Sequence, residues 1–301
     1  MPKSRMFAVL PTLLTLANAV CGFGSITFAA KVGPETTGGN DLFIAALLIF
    51  LGMLFDMLDG SAARWARNTS EFGAQLDSLC DAISFGVAPA FLMIQFARAD
   101  HLPDGLAATP FEYHPRLLWA IAALFVLCVL LRLARFNVET EEDDSHDIFS
   151  GLPSPAAAGT VASFPIAMRG LMKLAGEPEA TTSGMTTWLI PTMMLALPLV
   201  TLAVACLMVS RVRYPHVFNQ LFRGRRNRQH LIQLVFTLVA VYVVREMAIP
   251  LIFCYFAFAA PIRGAWTEIV QPWFLGRSRT QPSGTSSAGD DDPAPPLVNP
   301  R

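Results

Sequence analysis

Charge is what this sequence has least of. Asp, Glu, Lys and Arg make up 15% of its 301 residues, where a soluble domain carries about 25%. With 53% hydrophobic residues, the shortage points to the membrane class. The net charge of −1 leaves no broad basic face and excludes a nucleic-acid partner that needs one. Cysteine is sparse and scattered: Cys21, Cys80, Cys128, Cys206 and Cys254 each sit in an apolar run. No two have metal-ligand spacing and none suggests a disulfide framework. No internal repeat is visible. No small-residue cleavage site follows the first apolar run, so that run reads as a retained span.

What the chain has in plenty is long apolar runs. A helix needs about 20 apolar residues to cross a bilayer core, and candidates lie near 8–30, 42–64, 75–98, 116–136, 154–174 and 186–209. A last run, 231–260, is too long for one ordinary crossing and is interrupted by Arg245, Glu246 and Pro250. Lys3, Arg5, Arg64, Arg67, Arg132, Arg135 and the arginines between 211 and 228 fall in alternate loops, which the positive-inside rule assigns to the cytoplasm. Reading 231–260 as a hairpin puts Arg263, Arg277 and Arg279 on the same side. The expectation is therefore an all-α integral membrane protein, a polytopic helical bundle of about eight spans. Its N-terminus is expected in the cytoplasm, in a cell (inner) membrane. Three regions follow: a membrane domain over 1–210, a basic loop with C-terminal spans over 211–276, and a disordered cytoplasmic tail over 277–301 rich in Pro, Ser, Gly and Asp.

Against this background the segment FDMLDGSAARWARNTSEFGAQLDSLCDAISFG, residues 55–86, carries four aspartates. On a helix, Asp56, Asp59, Gly60, Ala63 and Arg64 share one face. Gly73, Asp77, Asp81 and Ser84 do the same on the next helix, and the short connection lets the two acidic faces meet. A carboxylate at the bilayer centre costs about 2.5–3.5 kcal/mol. Four together, even near the interface, demand compensating charge beyond Arg64 and Arg67. Hard divalent cations with oxygen ligands, Mg²⁺, Mn²⁺ or Ca²⁺, would supply it. Two such ions suit displacement at phosphorus. Gly60, Ala63 and Gly73 leave room for a close-lying ligand, and Arg64 can grip a phosphate through two hydrogen bonds. The residues alone point to metal and phosphate and leave the organic part of the ligand open.

The spacing Asp56-x-x-Asp59-Gly60-x-x-Ala63-Arg64-x8-Gly73-x3-Asp77-x3-Asp81 resembles the CDP-alcohol phosphotransferase motif at every fixed position. The resemblance implies six core helices, a homodimer, two divalent cations (Mg²⁺ or Mn²⁺), and transfer of a phosphatidyl-type group from a CDP-linked lipid to an alcohol with release of CMP. It further implies that Asp56, Asp59, Asp77 and Asp81 bind metal, that Asp81 is the general base, and that Gly60, Ala63, Arg64 and Gly73 form the CDP site. PTLLTLANAVCGF (11–23), QLDSLCDAISFGVAPA (75–90), RLARFNV (132–138) and FSGLPSPAAAG (149–159) are similar to the phosphatidylserine synthases of that family, although Thr12 stands where they commonly have asparagine. CDP-diacylglycerol and L-serine are then the expected substrates. Arg132, Arg135 and Asn137, at the cytoplasmic end of the fourth span, are candidates for holding serine's carboxylate and ammonium or a phosphate. Topological charge is the other reading of the two arginines. Glycerol phosphate, inositol phosphate or choline are alternative acceptors. A cation transporter is the rival of a different class, but it would be expected to carry its acids near mid-membrane or in repeated, broken helices.

Overall fold

The structure, a computed structural model, describes residues 3–32, 39–66, 71–98, 113–142, 151–175, 183–210, 212 and 247–265. Every regular element among them is helical. In chain order these are α1 (Lys3–Ala29), α2 (Gly39–Ala66), α3 (Glu71–Asp81), a π-helical turn (Ala82–Val87), α4 (Ala88–Ala97), α5 (Pro115–Glu142), α6 (Ser154–Ala175), α7 (Ser183–Val209) and α8 (Ala248–Ala265). Residues Met1–Ile262 form one unit and Arg263–Arg301 a second, of which only the end of α8 is described. The first half of the expected hairpin (231–246), nearly all of the arginine-rich loop before it (211 and 213–230) and the tail after 265 lie outside the described residues.

Five helical stretches among the described residues are long and apolar enough to cross a membrane: Leu10–Ala29, Asn40–Ser61, Glu71–Ala97, Pro115–Val138 and Trp188–Val209. The protein is a polytopic helical membrane protein. Its outer surface is oily: Leu13, Val20 and Phe23 on α1, Leu47 and Leu54 on α2, and Trp119, Leu127 and Leu131 on α5 are all exposed. An apolar exterior of this kind suits lipid as the solvent.

α6, expected as the fifth span, is not among those five. Arg169, Lys173, Ser154, Thr160 and Ser163 dilute its hydropathy. The reason is its position. α6 packs on α2, α4 and α7, with Ala157, Ala158, Val161, Ala162 and Ala167 fully buried. A helix enclosed by other helices needs small side chains for close approach more than it needs hydropathy. Thr160 and Ser163 return their hydroxyl protons to the helix's own carbonyls, at Ala156 (2.8 Å) and Thr160 (2.7 Å). The Arg169 guanidinium lies over the Phe43 ring, 4.0 Å from its centre.

α1 and α2 run antiparallel in close contact. Gly24 meets Leu48 while Asn18 meets Gly52. The third crossing is built from α3, the π turn and α4. Pro89, in the first turn of α4, has no N–H, and its ring would crowd the carbonyl four residues back in a regular helix. The wider π turn before it, closed by the Ala88 N–H on the Ile83 carbonyl, relieves that conflict. It also turns Ser84 and Phe85 inward, where both are fully buried. Before α6, Gly151 at φ 91° occupies backbone space that favours glycine. Its N–H reaches the Val212 carbonyl at 2.8 Å and the Leu152 N–H reaches Leu207 at 3.1 Å. These bonds seat the entry to α6 on the end of α7.

Candidate active site at the α2–α3 end of the bundle

Asp56 and Asp59 of α2 and Asp77 of α3 turn their carboxylates toward one another. One carboxylate oxygen from each of Asp56, Asp59 and Asp77 lies within 4.8 Å of the other two. Ligands on opposite sides of an ion bonded at about 2.1–2.5 Å stand about 4–5 Å apart, so the spacing fits a hard divalent cation. The hydrogen bonding points the same way. Asp59 is only 5% exposed, and its Oδ2 and the Oδ1 of Asp77 are buried with no hydrogen-bond partner. A buried carboxylate oxygen with no donor is costly to leave bare. An all-oxygen donor set with two such atoms is what Mg²⁺, Mn²⁺ or Ca²⁺ would satisfy.

Asp81 sits one helical turn further along α3 and is 8% exposed. Its Oδ1 accepts a hydrogen bond of 2.9 Å from the Asn18 Nδ2 of α1. The Thr15 hydroxyl, one turn before Asn18, lies beside Asp59 and donates to the Pro11 carbonyl at 3.0 Å. α1 therefore supplies polar groups to both acidic helices.

Of the remaining expected residues, Gly60 stands directly after Asp59 in α2, and a Cβ built there meets nothing within 4 Å among the described residues. The space beside the acids is open, as a ligand site requires. Ala63 and Arg64 belong to the last turn of α2, but their side chains lie outside those described. Gly73 is half-buried in the first turn of α3. Arg132 and Asn137 are half-buried on α5 and Arg135 is exposed. α5 runs to Glu142, past the expected end at 136, so all three lie on a continuing helix. Asn137 is drawn to the acid helix: its Nδ2 lies 3.0 Å and its Oδ1 3.1 Å from the Oγ of Ser78, the neighbour of Asp77.

Thr15, Asn18 and Ser78 escaped the reading of the sequence as site residues. A signal for two of them was there. Thr15, Asn18 and Gly22 recur at i, i+3 and i+7 in an otherwise apolar helix, which puts a polar, narrow stripe on one face. Ser78 carries no comparable signal, since a serine in a half-polar helix end is unremarkable by itself.

The sequence model of the family described as CDP-alcohol phosphatidyltransferase matches residues 8–208. That range takes in α1 to α7 almost completely. Among curated proteins, the chain is 35% identical over 217 residues to the archaetidylserine synthase of Methanothermobacter thermautotrophicus, covering 71% of this chain and 73% of that one. It is 30% identical over 216 residues to the CDP-diacylglycerol–serine O-phosphatidyltransferase of Helicobacter pylori, covering 72% and 75%. The protein of the same name in Mycobacterium bovis is 32% identical over 170 residues, which is 55% of this chain and about half (49%) of the relative.

Proposed function

The chain belongs to the CDP-alcohol phosphatidyltransferase family, and we propose that it transfers the phosphatidyl group of CDP-diacylglycerol to the hydroxyl of L-serine. The observation that carries this reading is the Asp56, Asp59 and Asp77 cluster with its bare buried oxygens, placed beside a separately held Asp81. The names of the relatives at 30–35% identity support serine as the acceptor.

In this reading Asp56, Asp59, Asp77 and Asp81 hold two divalent cations, Mg²⁺ or Mn²⁺. When bound, these neutralise the diphosphate and stabilise charge on its oxygens. Asp81 accepts the proton of the serine hydroxyl. The serine oxygen forms its bond to the lipid-linked phosphorus as the bond from that phosphorus to the CMP oxygen breaks, and CMP departs with the electron pair. The open space at Gly60, with Ala63, Arg64 and Gly73, takes the CDP moiety. Arg132, Arg135 and Asn137 at the end of α5 recognise the acceptor. Residues 1–210 carry the chemistry, 211–276 add a basic loop and further spans, and 277–301 form a cytoplasmic tail. The enzyme works as a homodimer in the inner membrane, with its N-terminus and the acids facing the cytoplasm.

Purified protein supplied with CDP-diacylglycerol, Mg²⁺ or Mn²⁺ and a panel of alcohols tests this. CMP release is expected with L-serine and is expected to fall by about 10²–10⁴-fold in Asp81→Asn. Release with glycerol 3-phosphate or inositol phosphate but not serine overturns the acceptor. Activity that survives chelation overturns the metal site.

A further inference from the structure

Asn18 is fully buried, and it is held from several sides. Its Nδ2 donates to Asp81 Oδ1 at 2.9 Å. Its backbone carbonyl accepts the Ser84 hydroxyl at 2.8 Å. Since Asp81 and Ser84 are three residues apart at the start of the π turn, α1 grips both sides of that start. Two glycines make the fit possible. A Cβ on Gly22 would stand 2.7 Å from the Ser84 Cα, and one on Gly52 would stand 2.9 Å from the Asn18 Oδ1. That Oδ1 is itself buried without a partner. An amide buried with one end unsatisfied is a poor choice for packing alone, because an apolar residue of similar size avoids the desolvation cost. The one bond that justifies the amide is the bond to Asp81.

We infer that Asn18 is a positioning residue for Asp81: it pins one carboxylate oxygen and so aims the other at the acceptor hydroxyl. This rests on the role proposed for Asp81 and extends it to α1. Hydrogen-bond geometry is what a general base must satisfy first, and a carboxylate free to rotate about its last torsion spends less time in the productive pose. Ser84 braces the same helices through the Asn18 backbone carbonyl rather than through the Asp81 carboxylate, which supplies the control.

Asn18→Leu is close in size but has no donor. It is expected to lower kcat by about 10–100-fold, less than the full loss of a general base at roughly 10²–10⁴-fold. KM for both substrates should stay within about threefold, and Mn²⁺ affinity of the substrate-free protein, followed by electron paramagnetic resonance, should hold to a similar margin. Ser84→Ala is expected to lose less than about threefold in kcat. In the Asp81→Asn background Asn18→Leu should cost nothing further, since a residue that acts through another is non-additive with it. Asn18→Ser serves the same comparisons if the leucine variant does not fold. Unchanged kcat, equal loss in Ser84→Ala, or full additivity with Asp81→Asn each overturns the inference. The ratios are read with whichever acceptor of the panel the wild type uses. Failure of serine alone therefore removes the acceptor reading and leaves this one to its own result. A wild type that releases CMP with no acceptor overturns both.

Discussion

Asn137 of α5 and Ser78 of α3 meet side chain to side chain, with the serine Oγ 3.0 Å from Nδ2 and 3.1 Å from Oδ1. The contact fastens the end of α5, which carries Arg132 and Arg135, to the residue beside Asp77. A primary amide has more hydrogen-bonding sites than this contact uses, so tethering and acceptor recognition are compatible. The two roles separate on mutation. Ser78→Ala removes only the tether and is expected to change the serine KM by less than about threefold. Asn137→Ala removes both and is expected to raise it by about tenfold, the equivalent of one hydrogen bond at roughly 1.4 kcal/mol. Initial-rate kinetics over a serine titration check this, and equal effects would reduce Asn137 to a tether.

The acid cluster makes an opposite pair of predictions for the metal-free and metal-loaded protein. Without cations, Asp56, Asp59 and Asp77 crowd like charges within 4.8 Å, which opposes folding. Asp77→Asn relieves part of that and is expected to raise the Tm in chelator by about 2–4 °C, corresponding to roughly 1 kcal/mol. The wild type should overtake it as Mn²⁺ is added, because saturation to about 100 times Kd stabilises by roughly 2.7 kcal/mol. Thermal unfolding in chelator and in Mn²⁺ reads both halves. A variant that is destabilised in chelator would remove the repulsion argument.

Much of this site was legible because its chemistry is local in sequence. Asp56, Asp59 and Asp77 lie on two consecutive helices with a short connection, so helical periodicity alone foretold that their carboxylates meet. What escaped depended on contacts distant in the chain. Asn18 reaches Asp81 across 63 positions, and Ser78 reaches Asn137 across 59. The π turn escaped because AISFGV is apolar apart from Ser84 and carries no periodic signal, with Pro89 the sole hint. α6 was placed correctly, 154–174 expected against Ser154–Ala175 observed, yet its burial by neighbours cannot be read from a run of alanines. Arg64, the expected phosphate ligand, has a side chain outside those described.

Gly60 offers a case where stability and activity should move in opposite directions. A Cβ there meets nothing within 4 Å among the described residues, so Gly60→Ala incurs no clash with them. Replacing glycine by alanine inside a helix is worth about 0.8–1.0 kcal/mol. The variant is therefore expected to be at least as stable as the wild type by thermal unfolding. Its KM for CDP-diacylglycerol is expected to rise by about tenfold or more, since the methyl takes space the ligand needs. An alanine variant with unchanged KM would mean that the open space beside Asp59 is not where the nucleotide lies.

Gly22 should behave in the contrary manner, although both are helical glycines next to the site. A Cβ on Gly22 would approach the Ser84 Oγ to 2.5 Å and its Cα to 2.7 Å. The hydroxyl can rotate away, but the Cα belongs to the backbone of the π turn and can yield only by moving α1 from the third crossing. Overpacking of this kind costs about 1–3 kcal/mol, which outweighs the gain in helix propensity of at most about 1 kcal/mol. Gly22→Ala is thus expected to lower the Tm by a few degrees. It should also lower kcat, because the displacement stretches the 2.9 Å bond from Asn18 to Asp81 together with the Ser84 contact. Combining it with Asn18→Leu separates the two effects: the loss of Tm from Gly22→Ala persists, while its loss of kcat disappears once the bond it strains has already been removed.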